Sequence, residues 1–342
     1  MVRFGIMGFG LHAEKRLAEG FRGAHHARLV ALSRREAGRA GESAKRFDVP
    51  HAFGSKEELC ACPEVDAVIV ATPNACHCAD TLLALARGKP VLCEKPMATN
   101  AAECRRMIAA AQAAHLPLGA AQVFRFHNSV CRLRERVGAG DIGRPIYARA
   151  EFCIPGKGHP RRWMYNRALA GGGVLADLGV HCIDLLRFVL QDEVVATDAR
   201  AVYEENSGDV ETAAGLLLQF GGGAWGAVGV SSRSDYRTPA EIVGEEGALL
   251  VNPALSLEEP VILELRRDGK VVETERLFNA SSFSRMLDGF ALAVEGRQPF
   301  SCPGEEGLQN QLVLDAAYAA IHARPAFTRH GSVSGPPCVA DG

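Results

Sequence analysis

Apolar positions fall into two textures along the chain. From residue 1 to about 122, short continuous apolar runs alternate with stretches of helical period. Val2 to Met7, Ala27 to Leu32, Ala67 to Ala71, Val91 to Cys93 and Leu118 to Val123 read as strands. Unbroken runs such as Ala67-Val68-Ile69-Val70-Ala71 are the buried-strand type, covered on both faces. Ala52-Phe53 is a short extended piece. Ala13 to Gly20, Glu36 to Arg46, Cys76 to Arg87 and Ala101 to Ala114 read as helices between them. Strands alternating with helices predict an α/β fold with a doubly wound parallel sheet and right-handed crossovers.

From about Ile146 the texture changes. A long helix is expected over Gly173 to Leu190. Strand-like runs follow at Val194 to Tyr203, Thr212 to Phe220, Ala224 to Ser231, Ala240 to Val251 and Val261 to Arg266. Gly221-Gly222-Gly223 and Asp268-Gly269 mark turns, which favours an antiparallel sheet. Helices are expected over Ser282 to Glu295 and Gly304 to His322. The Gly-, Ser- and Pro-rich stretch 331–342 reads as a loose tail. The expected domains are 1–122, with the parallel sheet, and 123–330, an α/β unit with a mostly antiparallel sheet.

At 342 residues the chain exceeds the usual single core. It is 47% hydrophobic and 23% charged, ordinary for a soluble domain, and its net charge of −2 gives no field favouring nucleic acid or anionic membrane. No apolar run is long enough to span a bilayer. The opening Met1 to Gly8 is too short and Gly-broken for a signal segment, so a cytoplasmic location is expected. The eleven cysteines are odd in number and scattered. Cys93 in a strand and Cys104 and Cys182 in helices suit reduced, buried thiols. Cys60/Cys62 and Cys76-His77-Cys78 are poorly spaced for zinc, and no metal is expected.

Gly8-Phe9-Gly10-Leu11-His12-Ala13 follows a strand, opens a helix and starts a βαβ unit, the context in which Gly-x-Gly-x-x-Ala marks a dinucleotide site. Gly8 permits the tight turn, Gly10 lets the backbone approach a pyrophosphate, and Ala13 allows close helix–strand packing. The helix N-terminus offers N–H groups to phosphate. The second strand ends in Leu32-Ser33-Arg34-Arg35, without the acid that usually binds a ribose 2′-OH. Ser33, Arg34 and Arg35 therefore point to a 2′-phosphate and to NADP, with NAD as the other possibility. A merely solvated basic helix start is the competing reading, and Glu36 supports it. The third strand leads into Ala71-Thr72-Pro73-Asn74 and then His77, on the side of the sheet that meets a cofactor. Asn74 and His77 are candidates for ribose or nicotinamide, with helix capping the alternative for Asn74.

Glu94-Lys95-Pro96 ends the next strand. Alone, Lys95 reads as a surface lysine beside a turn proline. At the mouth of a parallel sheet it is a candidate acid/base for a hydroxyl proton, with Glu94 orienting it or touching ribose. A second element favours this role. Gly171-Gly172-Gly173 precedes Asp177 and His181, which stand i, i+4 on one helix face, with Asp184 one turn on. A carboxylate beside a histidine fixes its tautomer, and the glycines leave room near a ligand. An ordinary buried His–Asp pair is the alternative.

These pieces, in this order and spacing, resemble the Gfo/Idh/MocA oxidoreductase family, which includes glucose–fructose oxidoreductase and inositol dehydrogenase. Ile242 to Leu249 also matches a family strand–turn segment, and the likeness spans most of residues 1 to 325. The resemblance implies a Rossmann domain followed by an α/β domain whose large open sheet pairs with a second copy of the chain. It implies NAD(P)-dependent hydride transfer at a carbinol or carbonyl, with Lys95, Asp177 and His181 as catalytic candidates. A sugar-like or cyclic polyol substrate is the first expectation, with His181 held by Asp177. An apolar cyclic diol is the rival: a pocket lined by Arg and His favours the sugar, an apolar one the diol. A non-catalytic NADP-binding sensor is expected to lack Lys95 or His181, and both are present. His159 to Tyr165 is expected to border the pocket, with Arg162, Trp163 and Tyr165 as substrate candidates. Arg125, Asp184 and Tyr236 are further ones. In the second sheet, Ala224 to Ser231 is apolar at both parities, so both faces are expected to be covered.

Overall fold

The computed structural model describes residues 1–156, 161–204, 208–257, 259–323 and 327–328; the tail 331–342 lies outside them. The first sheet contains β1 (Val2–Met7), β2 (Ala27–Ser33), β3 (His51–Phe53), β4 (Ala67–Val70), β5 (Val91–Cys93) and β6 (Leu118–Ala120). Its order is β3-β2-β1-β4-β5-β6, with every neighbour parallel. Every residue of β4 and β5 is buried, because helices cover both faces. The strand order reverses between β1 and β4, which opens a crevice at their carboxyl ends. The loops after β1, β4 and β5 all reach that crevice.

The second sheet holds β7 (Pro145–Pro155), β8 (Val194–Tyr203), β9 (Ala213–Phe220), β10 (Trp225–Ser231), β11 (Arg233–Arg237), β12 (Ala240–Gly244), β13 (Ala248–Asn252), β14 (Val261–Arg267), β15 (Lys270–Leu277) and β16 (Phe327–Thr328). The order is β15-β14-β13-β12-β7-β10-β9-β8-β16, with β11 also on β7. Only β7–β10 and β8–β16 are parallel among the described pairs. The sheet is thus mixed and mostly antiparallel, as expected. Three strands escape the apolar pattern. β11 and β15 are almost wholly exposed, and central β7 alternates small residues with Arg149 and Glu151. The run Ala240 to Val251 is a hairpin rather than one strand, closed where Gly244 N donates to Gly247 O at 2.8 Å.

Two helical expectations also resolve differently. The first helix begins as a π-turn, Ala13–Leu17, and continues as α over Ala18–Arg22. The long helix after the glycines begins as a π-turn, Leu175–Gly179, before the α-helix Val180–Leu190. The helices Ser282–Val294 and Gly304–His322 follow the second sheet in sequence but reach back to the first domain, and Gly304–His322 packs on β8 as well. Asp288 accepts from the backbone N–H of His25 and His26, and Asp315 from that of Ala101. The boundary near residue 122 therefore divides the sequence more cleanly than it divides the packing.

Among the described residues three imidazoles are buried: His77, His127 and His181. Burial pushes His127 down to about 3 and also lowers His77. Burial, and then the charge of Lys95, lowers His181. Their folded pKa values lie below the unfolded ones, so they bind protons more readily when the chain unfolds. The stability they contribute is complete above their unfolded pKa, about 6.5, and is lost as pH falls. Urea unfolding at pH 7.5 and 5.5 should show a lower stability at 5.5, with about 1 kcal/mol of the difference from His127. In His127→Gln the difference between the two pH values should shrink by about that amount. An unchanged difference in the variant would refute the role given to His127.

Candidate active site

A groove of about 1500 Å³ runs from the crevice of the first sheet to the inner face of the second. At its β1 end, Gly8 has φ +78°, and a Cβ there would stand 2.7 Å from the Thr72 side chain and 2.9 Å from Ala71 O. Glycine thus lets the loops after β1 and β4 touch. A Cβ on Gly10 would meet only Gly8 O, at 3.8 Å, so the backbone is open there. That open cradle fits a pyrophosphate. Leu11 and His12 line the same wall. Phe9 is buried, packed edge-on against Phe47 at 5.3 Å, so its ring serves the core. His12 Nε2 lies 2.9 Å from Glu94 Oε1, and Glu94 Oε2 accepts from Lys95 N at 3.2 Å. Burial raises the Glu94 carboxyl, but His12 and Lys95 hold it below its ordinary value.

Ser33, Arg34 and Arg35 line one end of the groove. Ser33 is buried and Arg35 exposed. Arg34 Nη1 donates to Glu14 Oε1 at 2.8 Å and to Ser43 Oγ at 2.7 Å. On the β4 side, Thr72 Oγ1 donates to Asp80 Oδ2 at 2.6 Å. Asn74 is not a cap: its Nδ2 donates to Ala170 O at 2.8 Å, tying the β4 loop to the segment before the glycines. His77 is a strut, its ring nitrogens 2.9 Å from Thr72 O and Pro96 O. Both residues border the groove with these polar atoms engaged.

Lys95 Nζ donates to Asp177 Oδ1 at 2.7 Å and to Asp177 O at 2.8 Å. Asp177 sits in the π-turn, a geometry frequent at functional sites. Burial raises its carboxyl, yet the charges of Lys95 and Arg161 and the Lys95 hydrogen bond hold it below the ordinary carboxylate range. His181 is 6% exposed, and its Nδ1 has no hydrogen-bond partner among the described residues. Its ring packs on Phe124 at 4.3 Å and Phe152 at 6.0 Å. Burial, and then Lys95, keeps it well below its ordinary pKa despite Asp177. The expected Asp177–His181 bond is therefore replaced by Asp177–Lys95. The carboxylate is drawn to the stronger charge, and the imidazole stays neutral.

Beyond this cluster the groove is lined by Phe124, Phe152, Ile154, Trp163, Leu255 and Leu257, with Ser256 and Glu259 beside the two leucines. Arg161 lies over the Trp163 ring, 5.7 Å from its centroid, and Tyr236 sits at the rim, 46% exposed. Sequence reasoning missed Phe124, and within the segment His159 to Tyr165 it singled out Arg162 rather than Arg161. Phe124 follows the end of β6, a position that points to the crevice as Lys95 does; nothing in the sequence separates Arg161 from Arg162.

Several substrate candidates lie elsewhere. Arg125 and Asp184 are buried against each other, with Arg125 Nη2 2.7 Å from Asp184 Oδ1 and 2.7 Å from Glu306 Oε2. Asn310 also donates to Asp184 at 2.7 Å. Those groups are saturated outside the groove lining. Arg162 is exposed and Tyr165 half-buried, neither on the groove. His159 and Pro160 fall outside the described residues. The triple glycine does not make room for a ligand either. A Cβ on Gly171, Gly172 or Gly173 would meet Thr99 at 3.1 Å, Tyr318 Oη at 1.7 Å or Glu211 O at 2.1 Å respectively.

No group of three or more His, Cys, Asp or Glu among the described residues could hold a metal ion. Burial pushes the Cys60 thiol up to about 11 and those of Cys104 and Cys302 up to about 12, as inert core groups. No helix among the described residues is long and apolar enough to cross a membrane.

Residues 2–122 match the model of the oxidoreductase family with an NAD-binding Rossmann fold, and residues 130–250 match the GFO/IDH/MocA C-terminal domain. The chain is 35% identical to trans-1,2-dihydrobenzene-1,2-diol dehydrogenase from Mus musculus, over 78% of this chain and 79% of that one. It is 32% identical to 1,5-anhydro-D-fructose reductase from Ensifer adhaerens, over 90% and 92%. It superposes with a TM-score of 0.84 on the 3-ketoreductase KijD10 of Actinomadura kijaniata, solved with NADP and TDP-benzene, at 26% identity over 94% of this chain and 98% of that one. The nucleotide crevice, the mixed second sheet and these matches together make the chain a member of the Gfo/Idh/MocA family of NAD(P)-dependent oxidoreductases.

Proposed function

We propose that the protein is an NADP-preferring oxidoreductase that interconverts a ring CH–OH and a carbonyl. One observation carries the reading: Lys95, gripped by Asp177, stands with neutral His181 where the dinucleotide cradle opens into an aromatic chamber. The bound cofactor supplies or takes up the hydride. Lys95 Nζ passes a proton to the forming alkoxide in reduction and takes it from the hydroxyl in oxidation. Asp177 fixes Nζ and balances its charge. His181, with Nδ1 unpartnered, positions the reacting oxygen. Phe124 and Phe152 keep water from this point.

The chamber wall favours the apolar cyclic diol over the sugar expected from sequence. Its six aromatic and aliphatic side chains suit a hydrocarbon ring with hydroxyls on the edge facing Lys95. The dihydrodiol dehydrogenase relative supports this choice. A sugar-like substrate is the second reading, supported by Arg161 at the groove and by the anhydrofructose reductase relative. Assayed with NADP⁺, trans-1,2-dihydrobenzene-1,2-diol should be oxidised with a higher kcat/KM than inositol or glucose. The reverse order would select the sugar reading.

NADP preference rests on Ser33, Arg34 and Arg35 at the end of an acid-free β2, and on the NADP bound by the 3-ketoreductase relative. NADPH should bind more tightly than NADH by fluorescence titration, and Arg34→Ala should narrow the gap. Equal dissociation constants in the native protein would refute the preference.

Lys95→Ala should lower turnover by roughly 10²–10⁴-fold while NADPH still binds. His181→Ala should lower turnover and raise the substrate KM. Asp177→Asn acts through Lys95, so combining it with Lys95→Ala should cost little more than Lys95→Ala alone. Near-native turnover in Lys95→Ala would transfer the proton to His181.

The outer face of the second sheet exposes Val195, Leu217 and Trp225 at 65%, 55% and 45%, and Trp225 packs on Tyr147 at 4.2 Å. We infer that a second copy of the chain covers this face as a symmetric pair. Light scattering at micromolar concentration should give a dimer and Trp225→Glu a monomer. A monomeric native protein overturns the pairing.

A further inference from the structure

The helix that carries Asp177 and His181 starts under an unusual restraint. Glu211, from the connection between β8 and β9, accepts from three successive backbone N–H groups. Its Oε1 takes Gly173 N at 2.9 Å and Leu175 N at 3.0 Å, and its main-chain O takes Val174 N at 3.2 Å. A helix start leaves such donors unsatisfied, and a carboxylate there also complements the helix dipole. The same Oε1 accepts from Tyr318 Oη, on helix Gly304–His322, at 2.9 Å. Burial, and then the Glu211 charge, holds the Tyr318 phenol well above its ordinary pKa, so it remains a donor. Glu211 is 1% exposed.

The glycines are explained by this contact. Gly172 and Gly173 lie so close to Tyr318 and Glu211 that a Cβ on either would collide with them. Asp177 follows Leu175 by two residues, inside the π-turn, so a shift of the turn's first residues passes directly to the Lys95–Asp177 contact. We propose that Glu211, backed by Tyr318, is a positioning residue that sets the reach of Asp177 to Lys95 from the far side of the helix. It touches neither the groove nor the reacting atoms. The proposal rests on the reading of Lys95 and Asp177 as the proton-transfer pair.

The experiment compares native protein with Lys95→Ala, Glu211→Ala, Glu211→Gln and Glu211→Asp. Turnover is followed with trans-1,2-dihydrobenzene-1,2-diol and NADP⁺ and with 1,5-anhydro-D-fructose and NADPH. NADPH affinity is read by fluorescence, and amide hydrogen exchange over residues 173–179 by mass spectrometry. Glu211→Ala should speed exchange in that segment and lower kcat by about 10–100-fold, the cost of a misplaced catalytic group, with NADPH affinity unchanged. Glu211→Gln keeps an oxygen for the N–H groups and should retain kcat within about tenfold. Glu211→Asp falls short of them and should resemble Glu211→Ala. If Glu211→Ala does not fold, the order Gln above Asp decides, and equal kcat for those two overturns the proposal. Native kcat in Glu211→Ala, with Lys95→Ala inactive, overturns the positioning role alone. Native turnover in Lys95→Ala overturns the reading of the site itself and the chemical role of Glu211 with it. If neither probe is turned over by the native protein, unchanged exchange in Glu211→Ala overturns the anchor and faster exchange supports it.

Discussion

The site depends on one contact, that of the Lys95 ammonium with both the carboxylate and the main-chain oxygen of Asp177. Lys95 follows β5 of the first sheet, and Asp177 lies in the first turn of the helix beneath the second. Holding them 2.7 Å apart requires the two domains to keep a fixed relation. The molecule meets this demand redundantly. The Asn74 amide grips Ala170 before the glycines, and the helices Ser282–Val294 and Gly304–His322 return from the second sheet to pack on the first. The groove lies along the seam that these contacts close, where small displacements would change the Lys95–Asp177 distance.

The electrostatics of that seam follow from burial. His181 is buried beside the Lys95–Asp177 ion pair, and the two effects together decide its charge. Asp177 stays ionised against its own desolvation because Lys95 and Arg161 face it, while the Lys95 charge helps keep His181 neutral. An ionised carboxylate and a neutral imidazole thus stand one turn apart on the same helix. Separated states of this kind let one group move a proton and the other accept or donate a hydrogen bond.

Much of this was legible in the sequence. Continuous apolar runs mark strands covered on both faces, so β1, β2, β4 and β5 could be placed to within a residue or two. Gly8, Gly10, Lys95, Asp177 and His181 could be named because each sits at a strand end or on one helix face. What failed was partnership. Helical spacing places Asp177 beside His181, but only the fold brings Lys95 across from another domain to take the carboxylate. Arg125 and Asp184 were expected at the pocket, but a position along the chain, such as that of Asp184 one turn past His181, does not say which way a side chain points. The glycines read as ligand space, and Glu211, thirty-eight residues beyond Gly173, carried no local signal at all. Strands β11 and β15, exposed along their lengths, lack the apolar pattern by which strands are recognised.

The helix also shows how one scaffold makes two different uses of the same pairing. Asp177 and Asp184 stand seven residues apart, two turns, and each meets a cation from a loop following the first sheet: Lys95 after β5 and Arg125 after β6. At the inner end the partner is arginine. Its planar fork binds Asp184 through two nitrogens, it never gives up its proton, and both side chains are at most 5% exposed. That pair holds the helix. At the groove end the partner is lysine, a point charge that can release a proton, and the side chains of Lys95 and Asp177 are 13% and 17% exposed. Exchanging the cations would cost each end its character, since a lysine at 125 would lose the fork, and an arginine at 95 would hold Asp177 without the releasable proton that the proposed role of Lys95 requires. The choice of cation, more than the carboxylates, separates the more open pair at the groove from the buried pair that anchors the helix.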